Sequence, residues 1–333
     1  MSSSTGPHAT ATATATGPVT ADDARASGLA GEDLRRAART GSLVRVRHGA
    51  YVPTATWTSA DHAERHRLLV RAAARTLSSP VFGHASAAAV WRLPLLEGWP
   101  SDVHVLVPDA RGTPSTRGVR RHRVAVVPEI RVVGGVRVTT AARTVVDLAR
   151  TGSFARGLVL ADDALRRRRV TPDDLTRELV AAGSGRGVRR ARRVADEADA
   201  HSESPGESLS RARMIELGLP RPVLQHEVRD RRGLVGRVDF FWESLGVVGE
   251  FDGRLKYRAD GVGDRTAAED RVWAEKRRED RLRAAGLRVV RWTWQGALDP
   301  ARLARLLSGA DLLPAPPGAR ASDAEGVLDT STG

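Results

Sequence analysis

No cysteine occurs in the 333 residues. That absence excludes disulfides, thiolate zinc sites and cysteine nucleophiles, and it suits a cytoplasmic protein. Lysine is nearly absent too: arginine supplies all but two of the 53 basic residues, and the exceptions are Lys256 and Lys276. A codon bias towards arginine accounts for the exchange of one base for the other. It does not account for 53 bases against 40 acids, a net charge of +13 that points to a polyanion, most simply nucleic acid. No apolar run approaches the roughly 18 residues that span a bilayer. The opening "MSSSTGPHATATATATGPVT" has neither a basic segment nor an apolar one, so it reads as a low-complexity leader and not as a signal peptide. Hydrophobic residues make up 41% of the chain, enough for globular domains, and the length suggests two or three of them.

The predicted organisation is α+β and multidomain: a disordered leader (1–18), a first compact unit (19–58), an α+β middle domain (59–200), a third unit (201–312) and a disordered tail (313–333). In the first unit, Thr20 and Asp23 have capping-box spacing and open a short helix. Gly28 ends that helix, and "AGEDLRRAARTG" gives a second, closed by Gly41. "LVRVRHGAYVP" reads as a strand, a tight turn at His48-Gly49 and a returning strand. Helix, turn, helix and β-hairpin is the plan of a winged helix-turn-helix. Its second helix would present Arg35, Arg36 and Arg39 to DNA, and its wing Arg45, Arg47 and His48. The plainer reading is a helical subdomain with a solvated basic face.

The middle region predicts helices at 61–77, 84–91, 139–150, 153–168, 171–182 and 187–200, with strands in "DVHVLVP" and "GVRRHRVAVV". It shows no phosphate loop, metal-ligand spacing or nucleophile elbow. His84 reads as a capping or packing residue at a helix start.

The third unit reads α-β-β-β-α-β. If Ser244-Leu245 is the loop between "GRVDFFW" and "GVVGEFDG", Glu243 pairs with Gly246 and Asp239 falls opposite Glu250. Asp252 joins them on the same face by the two-residue period of a strand. Three converging acids repel one another, and a hard cation such as Mg²⁺ or Mn²⁺ would relieve that repulsion. Glu207 could add a fourth carboxylate, although Ser204, Pro205 and Glu207 also form a helix-start signal. Gln225 reads as a polar edge residue. Glu275 and Asp280 read as salt-bridge lacing of a solvated helix, and Trp292 and Trp294 as core and surface of the last strand.

This αβββαβ order, with a Glu in the first helix followed by "VDF", "EFDG" and "REDRLRAAGLRVVRW", resembles the restriction-endonuclease-like PD-(D/E)XK fold, in its very-short-patch-repair-like branch. The resemblance implies Mg²⁺-dependent phosphodiester hydrolysis, with Asp239 and Glu250 as metal ligands. Asp252 stands where that motif has lysine, so Lys256 or Lys276 would have to steady the developing charge, and Tyr257 falls near the branch's usual histidine. The first unit, with "HASAAAVWRLP" and "VTTAARTVVDLA", is similar to AbiEi-type antitoxins of type IV toxin–antitoxin systems. That likeness implies DNA as partner, a cognate toxin, and transcriptional autorepression. Two functions are thereby open: a metal-dependent DNA endonuclease, or a non-catalytic regulator with a degenerate nuclease fold.

Overall fold

The structure, a computed structural model, describes residues 17–108, 115–126, 128–253 and 265–314. The leader up to residue 16, the tail from residue 315, Lys256 and Tyr257 lie outside the described residues. The chain divides into two compact units, Met1–Pro205 and Gly206–Gly333, so the first two expected domains share one unit.

The first unit opens with strand β1 (Val19–Thr20), helix α1 (Ala21–Ala26) and helix α2 (Gly31–Arg39). The capping box is formed: Asp23 accepts from the Thr20 N–H at 2.8 Å, and Thr20 Oγ1 accepts from the Asp23 N–H at 3.4 Å. Strands β2 (Leu43–Arg47) and β3 (Ala50–Pro53) make the expected hairpin, turning through Gly49 in the left-handed region at φ 73°. One strand was not foreseen: β1 pairs with β3, giving a three-stranded sheet in the order β1-β3-β2. Val19, Ala24, Leu34, Leu43 and Tyr51 form its core. Helices α3 (Thr54–Ser59) and α4 (His62–Thr76) follow.

Next come β4 (Val81–Phe82), α5 (His84–Trp91), β5 (Val103–Pro108), β6 (Val119–Val124), β7 (Ile130–Val133) and β8 (Val136–Thr139). They build a five-stranded mixed sheet, order β6-β5-β4-β8-β7, with β6 at an edge. The sequence reading missed β4 and the β7–β8 hairpin, although Gly134-Gly135, both at positive φ, carried the turn signal. It also ran the β6 strand past Val124 into residues 125–126, which bend away. The last four helices of the unit are close to expectation: α6 (Ala141–Thr151), α7 (Phe154–Arg166), α8 (Pro172–Ala181) and α9 (Val188–Glu197). Val70, Phe82, Val103, Val105, Val119 and Val138 lie at the heart of the sheet's apolar core.

The second unit contains α10 (Pro205–Glu216), β9 (Val223–Asp230), β10 (Gly233–Trp242), β11 (Val247–Asp252), α11 (Arg265–Ala284) and β12 (Arg288–Thr293), the order expected. Its sheet runs β12-β11-β10-β9, with β11 parallel to β12 and the other pairs antiparallel. Two short helices not foreseen, α12 (Trp294–Leu298) and α13 (Pro300–Ser308), complete it, and the first takes over Trp294 from the expected strand. Trp292 is buried and donates its indole N–H to Ser210 Oγ at 2.7 Å. A side chain on Gly206 would lie 2.0 Å from the Phe251 ring, so only glycine lets α10 settle this closely on β11. That closeness sets the position of Glu207, the next residue.

Candidate nucleic-acid interface and acidic cluster

Arg35, Arg36 and Arg39 project from the exposed face of α2, each tied to an acid one turn or two away. Arg35 and Arg39 reach Glu32 at 2.6 and 3.1 Å, and Arg36 reaches Asp33 at 3.1 Å. The hydrogen bonds from Arg39 and Arg35 hold the Glu32 carboxyl below its usual range. Exposed pairs of this kind are weak, so the guanidiniums are available to exchange a carboxylate for a phosphate. On the hairpin, Arg45 and His48 are exposed, with Arg45 Nη2 2.8 Å from His48 Nδ1. Arg47, the remaining arginine expected on the wing, turns inward. Its Nε donates to Thr76 Oγ1 on α4 at 2.9 Å, and burial, then the nearby Arg121, lower its pKa. A shift of pairing register between Arg45 and Arg47 is what reverses its side. Five of the six expected DNA-facing side chains are thus exposed, and Arg47 is a joint with α4.

The acidic cluster follows the expected hairpin register. Phe240 pairs with Gly249, Phe241 with Val248 and Trp242 with Val247, which continues to Asp239 opposite Glu250. The connection is a 3₁₀ turn, Glu243–Leu245, closed by Gly246 at φ 60°. Asp239 Oδ2 accepts the Phe251 N–H at 2.8 Å. Gln225, itself at φ 51°, spans two acids: its amide donates to Glu207 Oε2 at 2.9 Å and to Asp239 Oδ1 at 3.4 Å. Burial pushes the Asp239 carboxyl up to about 6; Glu207 and Glu250 add to that, and the Phe251 N–H opposes it.

Glu250 is held quite differently. Arg278 Nη2 meets its Oε1 at 2.6 Å, and Arg291 Nε meets its Oε2 at 2.9 Å. Burial alone would lower Arg278, but its bonds to Glu250 and then Glu275 outweigh that and raise it. Glu275 reaches beyond its own helix, bridging Arg278 at 3.1 Å and also pairing with Arg291 on β12. These groups, with Arg237 and Asp252, line a cavity of about 250 Å³. Asp252 is exposed at the end of β11. Lys276 is exposed on α11 with its ammonium 5.3 Å from the centre of the Trp273 ring.

Sequence reasoning missed Arg278 and Arg291 as neutralising groups. The tail motif contained both, but nothing in a strand's period shows that an arginine 28 residues away closes on Glu250. Among the described residues, no three Asp, Glu, His or Cys side chains come together in an arrangement that could hold a metal ion. With both Glu250 oxygens taken by guanidiniums, the donor set as it stands does not fit a hard divalent cation.

Comparison with known proteins adds to this geometry. Residues 14–54 match a family model described as "Transcriptional regulator, AbiEi antitoxin", and residues 82–196 one described as "AbiEi antitoxin C-terminal domain". The uncharacterized proteins MT2308 and Rv2248, from two strains of Mycobacterium tuberculosis, are each 31% identical over 218 residues, 64% of this chain and 75% of theirs. The crystal structure of the RV2827C protein from Mycobacterium tuberculosis aligns with 67% of this chain and 87% of that one, at 18% identity and a TM-score of 0.37. No described helix is long and apolar enough to cross a membrane.

Proposed function

Because the chain belongs to one family with these two mycobacterial proteins and carries both AbiEi antitoxin domains, we propose that it is a DNA-binding transcriptional regulator, an antitoxin-like autorepressor. In this reading residues 19–58 act as a winged helix-turn-helix. Helix α2 brings Arg35, Arg36 and Arg39 to base edges or phosphates, and Arg45 and His48 on the hairpin grip phosphates. The observation that carries it is the set of exposed basic side chains on α2 and on the hairpin, within the segment matching the transcriptional-regulator model. A cognate toxin is the second partner this family membership suggests. The test is binding of the pure protein to the DNA upstream of its own gene, measured against salt. Affinity that falls steeply with salt supports the reading, and affinity no different from that for unrelated DNA counts against it.

The second unit supports a non-catalytic role in the same reading. Arg278 and Arg291 neutralise Glu250 where a metal would otherwise be needed, and Lys276 lies over Trp273. The competing function is Mg²⁺- or Mn²⁺-dependent phosphodiester hydrolysis through Glu207, Asp239, Glu250 and Asp252 with Lys256 or Lys276. Its test is the nicking of supercoiled plasmid by wild type against Asp239→Ala. Metal-dependent nicking abolished by that substitution would restore the endonuclease.

A further inference from the structure

The middle domain holds a cavity of about 760 Å³ that none of the DNA-facing residues lines. Its walls are guanidiniums from three elements: Arg120 and Arg123 on the edge strand β6, Arg143 and Arg150 on α6, and Arg186 and Arg190 at the start of α9. One carboxylate, Asp147, lines it among the described residues, and it is already engaged by Arg143 at 2.9 Å. Arg120, Arg123 and Arg186 have no carboxylate partner among the described residues, and all three are exposed towards solvent.

An arginine-rich edge strand alone would be explained as protection against pairing with another sheet. That does not explain why a loop and a second helix bring further arginines to the same space. The loop is built for it. Gly187, at φ 79°, approaches the Arg150 carbonyl so closely that a side chain there would lie 2.1 Å from it. Arg150 Nε donates to the Arg186 carbonyl at 3.2 Å, and Arg190 Nη1 donates to the Gly152 carbonyl at 2.6 Å. The guanidiniums of Arg150 and Arg190 are thereby held at fixed positions beside Arg143, and the exposed Arg120, Arg123 and Arg186 add charge around them, an arrangement that a multiply charged anion stabilises.

The floor is equally fixed. His84 sits at φ 49°, a conformation that costs a non-glycine residue energy, and it stacks on His122 with ring centres 3.8 Å apart. His122 Nε2 is 3.1 Å from His104 Nδ1, and the backbone N–H of His104 donates to Ser86 Oγ, which contacts the buried His66. Burial pushes His84 down to about 2, His104 to about 3 and His122 to about 4, so the rings are neutral and the charge of the cavity is that of arginine. The three histidines are not arranged to hold a metal.

We propose that this cavity binds the phosphate groups of a nucleotide-sized polyphosphorylated small molecule. The volume is that of a small-molecule site, the wall offers planar bidentate donors for several phosphate oxygens, and the stacked imidazoles supply a flat face. The cavity shares no lining residue with the proposed DNA-facing set of Arg35, Arg36, Arg39, Arg45 and His48, so failure of either leaves the other intact.

The test is calorimetric titration of the full chain with ATP, tripolyphosphate and orthophosphate, and with an unphosphorylated twelve-nucleotide single strand. ATP and tripolyphosphate are expected to bind once per chain in the micromolar range, with orthophosphate far weaker. The exposed pair Arg120→Ala/Arg186→Ala should weaken ATP at least tenfold, while Arg189→Ala, exposed on α9 outside the cavity, leaves it unchanged. If the double variant melts early, Arg123→Glu on the edge strand serves the same purpose. Absence of ATP and tripolyphosphate binding, or equal binding by wild type and variants, overturns the proposal. Binding of the oligonucleotide without ATP, lost in the double variant, also overturns it and assigns the cavity to a nucleic-acid backbone.

Discussion

Arg278 and Glu250 meet at 2.6 Å across 28 residues of sequence, and Arg291 closes on the other Glu250 oxygen at 2.9 Å. Both Arg278 and Glu250 are largely withdrawn from solvent, at 21% and 14% exposure. Removing Arg278 leaves the Glu250 carboxylate, largely out of water, with Arg291 as its remaining guanidinium partner. Arg278→Ala should therefore cost about 1–2 kcal/mol in urea unfolding, discounted from a fully broken buried pair for the retained Arg291 contact and the remaining contact with water. Arg283→Ala, whose partner Glu279 it meets on the exposed face of the same helix, should cost about 0.5 kcal/mol or less. Equal effects would mean that the Glu250 pair is only lacing.

Asp239 has its folded-state pKa raised to about 6. An acid with a raised folded pKa holds its proton in the folded state where the unfolded chain has lost it. Its contribution therefore falls as pH rises from about 4 to about 6, and the full penalty, up to about 3 kcal/mol, persists above that. Asp239→Asn keeps an acceptor for the Phe251 N–H and removes the charge. It should raise the melting temperature at pH 7.5 and make little difference at pH 4. A variant less stable than wild type at pH 7.5 would show that the carboxylate is stabilised by something the structure does not contain.

Gly206→Ala places a methyl group 2.0 Å from the Phe251 ring. Helix α10 must move off β11, at a cost of about 1–3 kcal/mol measured by thermal or urea unfolding. The same shift should disturb the Gln225 bridge to Glu207 and return Asp239 towards an ordinary carboxylate pKa, readable by NMR titration.

How far these features could be read in advance differs by residue. The hairpin register around Asp239 and Glu250 followed from strand periodicity, because a one-residue slip would turn Phe240 and Val238 out of the core. The helix starts at Thr20 and Pro205 followed from local capping chemistry. Arg278 and Arg291 did not, since their closure on Glu250 depends on how α11 crosses the sheet. The β1 and β4 strands, two residues each, are too short to show a period. Arg47 was misplaced because a bulge reverses the alternation that assigned it to the wing.

Arg45 and Arg47 separate binding from stability. Arg45→Ala should weaken binding to upstream DNA and lower the salt slope by about one unit, with little change in melting. Arg47→Ala removes the hydrogen bond to Thr76 and should lower the melting temperature with little effect on that slope. The reverse pattern would place Arg47 on the DNA.

In the proposed function, α2 and the hairpin hold the promoter. The most direct measurement of this is fluorescence anisotropy of the upstream DNA against salt, comparing wild type with Arg35→Ala/Arg39→Ala. Removing two phosphate-neutralising groups should reduce the salt slope by about two units and the affinity at least tenfold. An unchanged affinity and slope, in a variant that melts like wild type, would mean that α2 does not contact the promoter.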